Sequence, residues 1–177
     1  MILRISKKIF AIVLVSIIAI SLIGIGISGM FVKPQPDQEG VKVIADTIGG
    51  FKVTDQEVCL KDGKPIIYFF GSNSCPHCRW EHPILSDVAK QFSDYISFHD
   101  NMNSQNDAEI YQKYKNQNSG YIPFLVAGCK YVRLGSGEQY GEATERQYLT
   151  AIMCKLTGSS SDLCKSSEIA SIVSQIP

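Results

Sequence analysis

The chain has no net charge: 17 lysines and arginines are balanced by 17 aspartates and glutamates across 177 residues, and the pI is near 6.8. Nothing in that balance suggests a polyanionic partner, so no nucleic acid is expected. No internal repeat and no low-complexity block occurs anywhere. The length suits one globular domain and leaves little room for a second.

A more telling absence is local. Ile9 to Val32 reads IFAIVLVSIIAISLIGIGISGMFV, 24 positions without a charged residue. A helix needs roughly 20 apolar residues to cross the hydrocarbon core, whereas a secretory h-region has about 7–15. No A-x-A cleavage site follows, and no cysteine lies nearby to accept lipid. Arg4, Lys7 and Lys8 precede the run, which places the N-terminus in the cytoplasm by the positive-inside rule. The expected organisation is a cytoplasmic tail over 1–8, a transmembrane signal-anchor helix over 9–32, and a spacer over 33–50 that begins KPQPDQEG and closes with Gly49-Gly50. The competing reading, a long cleaved signal peptide, exports residues 33–177 equally. Either way the chain is expected to work outside the cell membrane, with the anchor making it single-pass.

Cysteine is missing from the apolar run and confined to the exported part, as Cys59, Cys75, Cys78, Cys129, Cys154 and Cys164. Outside the cytoplasm disulfides persist, so six cysteines there need not mean metal.

After the spacer the pattern alternates. Asp55 to Leu60 is expected to form a short helix, stopped by Lys61-Asp62-Gly63. Ile66 to Phe70 is a continuous apolar run, as in a strand buried on both faces. From Pro76 to Phe92, Trp80, Ile84, Leu85, Val88 and Phe92 recur at helical spacing. A strand is expected over Ile96 to Phe98, a helix over Asp107 to Gln117, and a hairpin of Phe124 to Ala127 with Tyr131 to Leu134. A last helix runs from Ala143 to Thr157, ending at Gly158. Such alternation predicts an α/β layer structure with parallel neighbours and one antiparallel hairpin.

The stretch GSNSCPHCRWEHPIL, residues 71–85, holds the candidate chemistry. A lone C-x-x-C can be a redox pair, half of a zinc site, or part of a disulfide framework. Here Cys75 falls at the start of a helix with Pro76 at its first position, where proline's missing N–H costs no hydrogen bond. Free N–H groups and the helix dipole of that turn favour the Cys75 thiolate, the nucleophile of disulfide exchange. A downward shift of three pKa units needs about 4 kcal/mol, and a helix terminus gives at most about 2. Backbone hydrogen bonds and His77 must supply the rest, which makes Pro76 and His77 tuning residues. Cys78, one turn down on the same face, is the candidate resolving cysteine.

These residues together resemble the thioredoxin superfamily, and Cys-Pro-His-Cys resembles its membrane-anchored, DsbA-like disulfide-forming oxidases. Pro83, five residues after Cys78, matches the proline inside the family's active-site helix, and Gly120-Tyr121-Ile122-Pro123-Phe124-Leu125 resembles its cis-proline loop and following strand. The resemblance covers residues 51–157, with 158–177 a C-terminal tail. It implies a thioredoxin fold, a mixed central sheet flanked by helices, with a redox-active Cys75–Cys78 disulfide as catalytic pair. Pro123 would be cis, with Ile122 pairing its backbone to an extended substrate. It further implies structural disulfides Cys154–Cys164 and Cys59–Cys129, a short local loop of about ten residues contributing roughly 2.5–3 kcal/mol and a longer one contributing more. A second shuttle pair among these four is the functional rival.

One family feature is lacking. Many relatives carry a buried carboxylate on the central strand about six residues before the first cysteine, but Ile66 to Ser74 contains no acid and position 69 is Phe. Glu81 or water would take that role; otherwise Glu81 is expected to be a solvated helix residue. Trp80 reads equally as a substrate contact or as helix packing, and His82 and His99 as structural or surface residues.

The expected activity is that of a protein disulfide oxidoreductase acting on exported cysteine-containing proteins, as oxidase or isomerase, with no cofactor or metal. Its re-oxidation would fall to a quinone-linked DsbB- or VKOR-like membrane protein. Alternatives are a reductase on the same fold, which Ile before the proline favours, a copper-chaperone-like metal binder, and a non-catalytic binding module.

Overall fold

A computed structural model describes residues 40–177. The expected tail 1–8, the span 9–32 and the first part of the spacer lie outside the described residues. Among the described residues no helix is long and apolar enough to cross a membrane.

The fold is mixed α/β. Strands β1 (Val43–Asp46), β2 (Lys52–Thr54), β3 (Leu60–Lys61), β4 (Lys64–Gly71), β5 (Ser97–Met102), β6 (Phe124–Ala127) and β7 (Tyr131–Leu134) are accompanied by helices α1 (Pro76–Gln91), α2 (Ala108–Lys113), α3 (Lys115–Asn118), α4 (Glu142–Leu156) and α5 (Ser167–Val173). The sheet order is β1-β2-β7-β6-β4-β3, with β5 also on β4. β4 and β5 are parallel from Ile66↔Ser97 to Gly71↔Met102. The remaining ladders are antiparallel, including β4 with β6 and the β6–β7 hairpin.

β4 is central, and its alternating side chains feed two cores. Ile67 and Phe69 join Leu85, Val88, Phe92, Leu149 and Ile152 beneath α1 and α4, while Ile66, Tyr68 and Phe70 join Phe124, Val126 and Tyr114 on the other face. A strand covered on both sides has no polar face to show, which is why it reads as an unbroken apolar run.

Four expectations change. Asp55 to Cys59 is not helical: after β2 the chain runs without regular structure to β3, held by Gln56 N–H on Thr54 Oγ1 and Cys59 N–H on the Gly128 carbonyl. Val43–Asp46, inside the stretch read as spacer, pairs with β2. The strand expected over 96–98 continues to Met102, because its parallel partner β4 offers a ladder that long. The helix expected over 107–117 breaks at Tyr114, whose fully buried ring sends its hydroxyl to the Cys129 carbonyl at 2.8 Å. A tertiary hydrogen bond there overrides local helical continuity.

The tail also acquires structure. Cys164, Ile169 and Ile176 are buried in the core beneath α4, and Lys155 Nζ donates to the Ile176 carbonyl at 2.5 Å.

Candidate functional site

Cys75 caps α1, with φ −90° and ψ 116°, and Pro76 opens the helix. The loop before it is tied down by Asn73 N–H to Asn103 Oδ1 at 2.9 Å, Ser74 N–H to Ser72 Oγ at 3.2 Å, and Cys75 N–H to the Ser72 carbonyl at 3.0 Å. Cys75 Sγ accepts from Cys78 N–H at 3.2 Å, a free donor of the first helical turn aimed at the sulfur. The two cysteines are joined by a disulfide. Cys75 is half-buried and Cys78 fully buried, so solvent and any partner meet Cys75 first.

Ile122-Pro123 is a cis peptide, and the Ile122 carbonyl oxygen lies 3.9 Å from Cys75 Sγ. Tyr111 donates its hydroxyl to the Tyr121 carbonyl at 3.0 Å, and Gly135 N–H donates to the Pro123 carbonyl at 2.8 Å, fixing the loop from both sides. Tyr121 and Ile122 are exposed beside the cysteine. A recess of about 370 Å³, lined by Gly71, Ser72, Asn103, Gln105, Tyr111 and Ile122 among others, opens alongside without a charged side chain. Pro76 and His77 are exposed, and Trp80 is half-buried against the core.

His77 meets a residue that nothing in the sequence flags. Its Nδ1 pairs with Glu138 Oε2, 61 positions away on the turn after β7. That pairing, more than the Ser136 hydroxyl, holds the Glu138 carboxyl below its ordinary range.

Glu81 is a correction. It is fully buried rather than solvated, with Oε1 accepting from Arg133 Nη2 at 2.6 Å and Oε2 from Gly137 N–H at 2.9 Å. Arg133 also donates to both Glu145 oxygens, at 3.0 and 2.7 Å, and to the Gly49 carbonyl at 3.1 Å, while its guanidinium lies 4.5 Å over the Phe51 ring. Two buried carboxylates thus share one cation. Desolvation outweighs Arg133 at Glu145 and lifts its carboxyl to about 7. The signal was available: Cys78, Glu81, Leu85, Val88 and Phe92 fall on one helical stripe, and the other four are core residues.

The remaining cysteines are paired as Cys59–Cys129 and Cys154–Cys164. Cys129 occupies a left-handed position, φ 58°, beside Gly128 in the β6–β7 turn. His82 pairs with Asp100 at 2.7 Å, and His99 lies between Asp107 and Lys61, at 3.2 and 3.3 Å. Among the described residues no group of three or more His, Cys, Asp or Glu side chains is arranged to hold a metal ion.

No family model, no curated protein and no solved structure matches this chain. The site has therefore to be read from its own chemistry: a helix-capping, half-buried cysteine in a disulfide with a buried one, beside an exposed cis-proline loop.

Proposed function

We propose that the chain is a thiol–disulfide oxidoreductase of thioredoxin fold, tethered by its N-terminal apolar segment and acting on cysteine-containing proteins outside the cytoplasm. The observation that carries this reading is the placement of the Cys75–Cys78 disulfide at the start of a 16-residue helix, 3.9 Å from the carbonyl of a cis Ile122-Pro123 peptide.

A substrate thiolate attacks Cys75, the more accessible sulfur, and forms a mixed disulfide while Cys78 leaves with the electron pair of the broken bond. A second substrate thiolate then attacks the substrate sulfur, and Cys75 leaves as a thiolate favoured by the Cys78 N–H. Two electrons have passed to the enzyme, and the substrate holds a disulfide. Ile122 offers its backbone to an extended substrate segment, and the uncharged recess beside it receives a flanking side chain. A quinone-linked membrane oxidase of the DsbB or VKOR kind would restore the disulfide.

The test is oxidation of a reduced model protein by the purified full-length chain in detergent, with the reduction potential measured against glutathione. Catalytic disulfide formation with a potential nearer about −120 mV supports oxidation; about −270 mV would reverse the direction to reduction. No exchange at all would remove the reading.

A further inference from the structure

Glu138 meets His77, between Cys75 and Cys78, although 61 positions separate them in sequence. Its carboxylate pairs with His77, between the two cysteines, and the Ser136 hydroxyl donates to the same oxygen at 3.1 Å. Neither side chain is closed to water, at 64% and 37% exposure, so the pair is screened and adjustable.

The turn that carries Glu138 is held from below. Gly137 donates its N–H to Glu81 Oε2, and a Cβ at Gly137 would overlap the Glu145 carboxylate. A side chain at 137 would thus push the turn off the buried cluster. Tyr140 N–H closes on the Gly137 carbonyl and Gly141 N–H on that of Glu138, making one helical turn with its carboxylate toward α1. The geometry is built rather than incidental, because three buried charged residues support the backbone next to Glu138.

Other charges around the pair are already engaged. Arg79, on the same helix as His77, donates to the Asn73 carbonyl at 2.7 Å. Glu81 and Glu145, beneath the turn, both accept from Arg133. Cys75, at the head of α1, lies two positions before His77.

We propose that Glu138 is a positioning residue that sets the redox poise of the Cys75–Cys78 pair through His77, making it a weaker oxidant than the same centre with an unpaired histidine. This rests on the exchange activity proposed above. When a dithiol reduces the pair, two electrons enter the Cys75–Cys78 bond, that bond breaks, and the dithiol becomes a disulfide. Of the two protons released, one goes to Cys78 and the other to solvent, leaving Cys75 as thiolate. Whatever stabilises that thiolate drives the step. A protonated imidazole does so, and a carboxylate clasping it takes part of the effect away.

The experiment follows Cys75 thiolate formation by the pH dependence of alkylation in the reduced full-length chain in detergent. It adds the equilibrium with glutathione at about pH 5, below the usual imidazole range. Glu138→Gln is expected to lower the alkylation midpoint by about half a unit and to move the equilibrium toward the reduced chain, by about threefold where the pH lies above that midpoint and Cys75 is thiolate. Glu138→Asp keeps the charge and should recover most of the wild-type behaviour. In a His77→Ser background, Glu138→Gln should change neither quantity. An unchanged midpoint in Glu138→Gln overturns the proposal, and so does an equal shift in the His77→Ser background. If the wild-type chain fails to exchange with glutathione, the activity reading falls, while the alkylation midpoints still decide the role of Glu138.

Discussion

Glu81 and Arg133 form an ion pair at 2.6 Å with both side chains closed to solvent, and Glu145 meets the same guanidinium at 2.7 Å. The cluster joins α1, β7 and α4 directly beneath the turn that carries Glu138 and meets His77, so a charge change there reaches both stability and the geometry of that turn.

Replacing Arg133 tests what the cation holds together. Arg133→Met keeps the bulk but leaves two buried carboxylates without a counter-charge, and breaking a buried pair this way costs about 3–5 kcal/mol. Urea denaturation should show a loss of that order. Arg133→Lys should lose less, since it keeps charge but not the fork that serves Glu81, Glu145 and Gly49 together. A loss below about 1 kcal/mol for Arg133→Met would mean that the carboxylates simply take up protons.

Glu145 makes stability fall as pH rises. Burial lifts its carboxyl from 4.5 to about 7 in the folded chain. A group bound more tightly to its proton when folded contributes stability that is full below the unfolded pKa of about 4.5 and lost as pH rises through about 7. Between pH ~5 and ~8 that contribution is lost. Asp55, Glu138 and Asp162, whose carboxyls are lowered, lose their contribution only below that window, so they do not mask it. Thermal melts of wild type should therefore drop across the window, and Glu145→Gln should flatten the trend. A variant with an undiminished slope would clear Glu145 of the effect.

How much of this was legible depends on whether a feature was local. The Phe124–Ala127 and Tyr131–Leu134 hairpin, the α1 stripe and the apolar run of β4 are short-range patterns, and the structure has those elements where the patterns lie. Asp55 to Leu60 misled because a few apolar residues at mixed spacing decide nothing by themselves; pairing to the β6–β7 turn sets that segment. Tyr114 gave no warning of a helix break, since its hydroxyl partner is 15 residues away. Residue type predicts a solvated Glu81, whereas its helical phase, shared with Cys78, Leu85, Val88 and Phe92, points inward. Glu138 carried no signal, because no local rule links residues 77 and 138.

The disulfides should differ in worth. Chain entropy assigns about 4 kcal/mol to Cys59–Cys129, with a separation of 70, and about 3 to Cys154–Cys164, with a separation of 10. Double alanine variants compared by urea denaturation should follow that order, and the reverse order would show that native packing outweighs loop closure. Cys129 adds an internal check through its φ of 58°. With Cys59→Ala, Cys129→Gly should be more stable than Cys129→Ala by about 1 kcal/mol, because glycine accepts that conformation without a Cβ clash.

Under the proposed exchange, Cys75 and Cys78 should fail differently. Cys78→Ser leaves the accessible sulfur of Cys75 able to attack a substrate disulfide but removes the thiol that would resolve the product. Mixed disulfides should accumulate and be visible by non-reducing electrophoresis and mass spectrometry, while turnover falls by at least about 100-fold, the scale expected when a covalent step cannot complete. Cys75→Ser leaves only a sulfur with no exposed surface, and it should trap almost nothing despite an equal loss of turnover. Equal trapping by the two variants would mean that burial does not choose the attacking cysteine, and the roles drawn from 0% exposure at Cys78 would have to be abandoned.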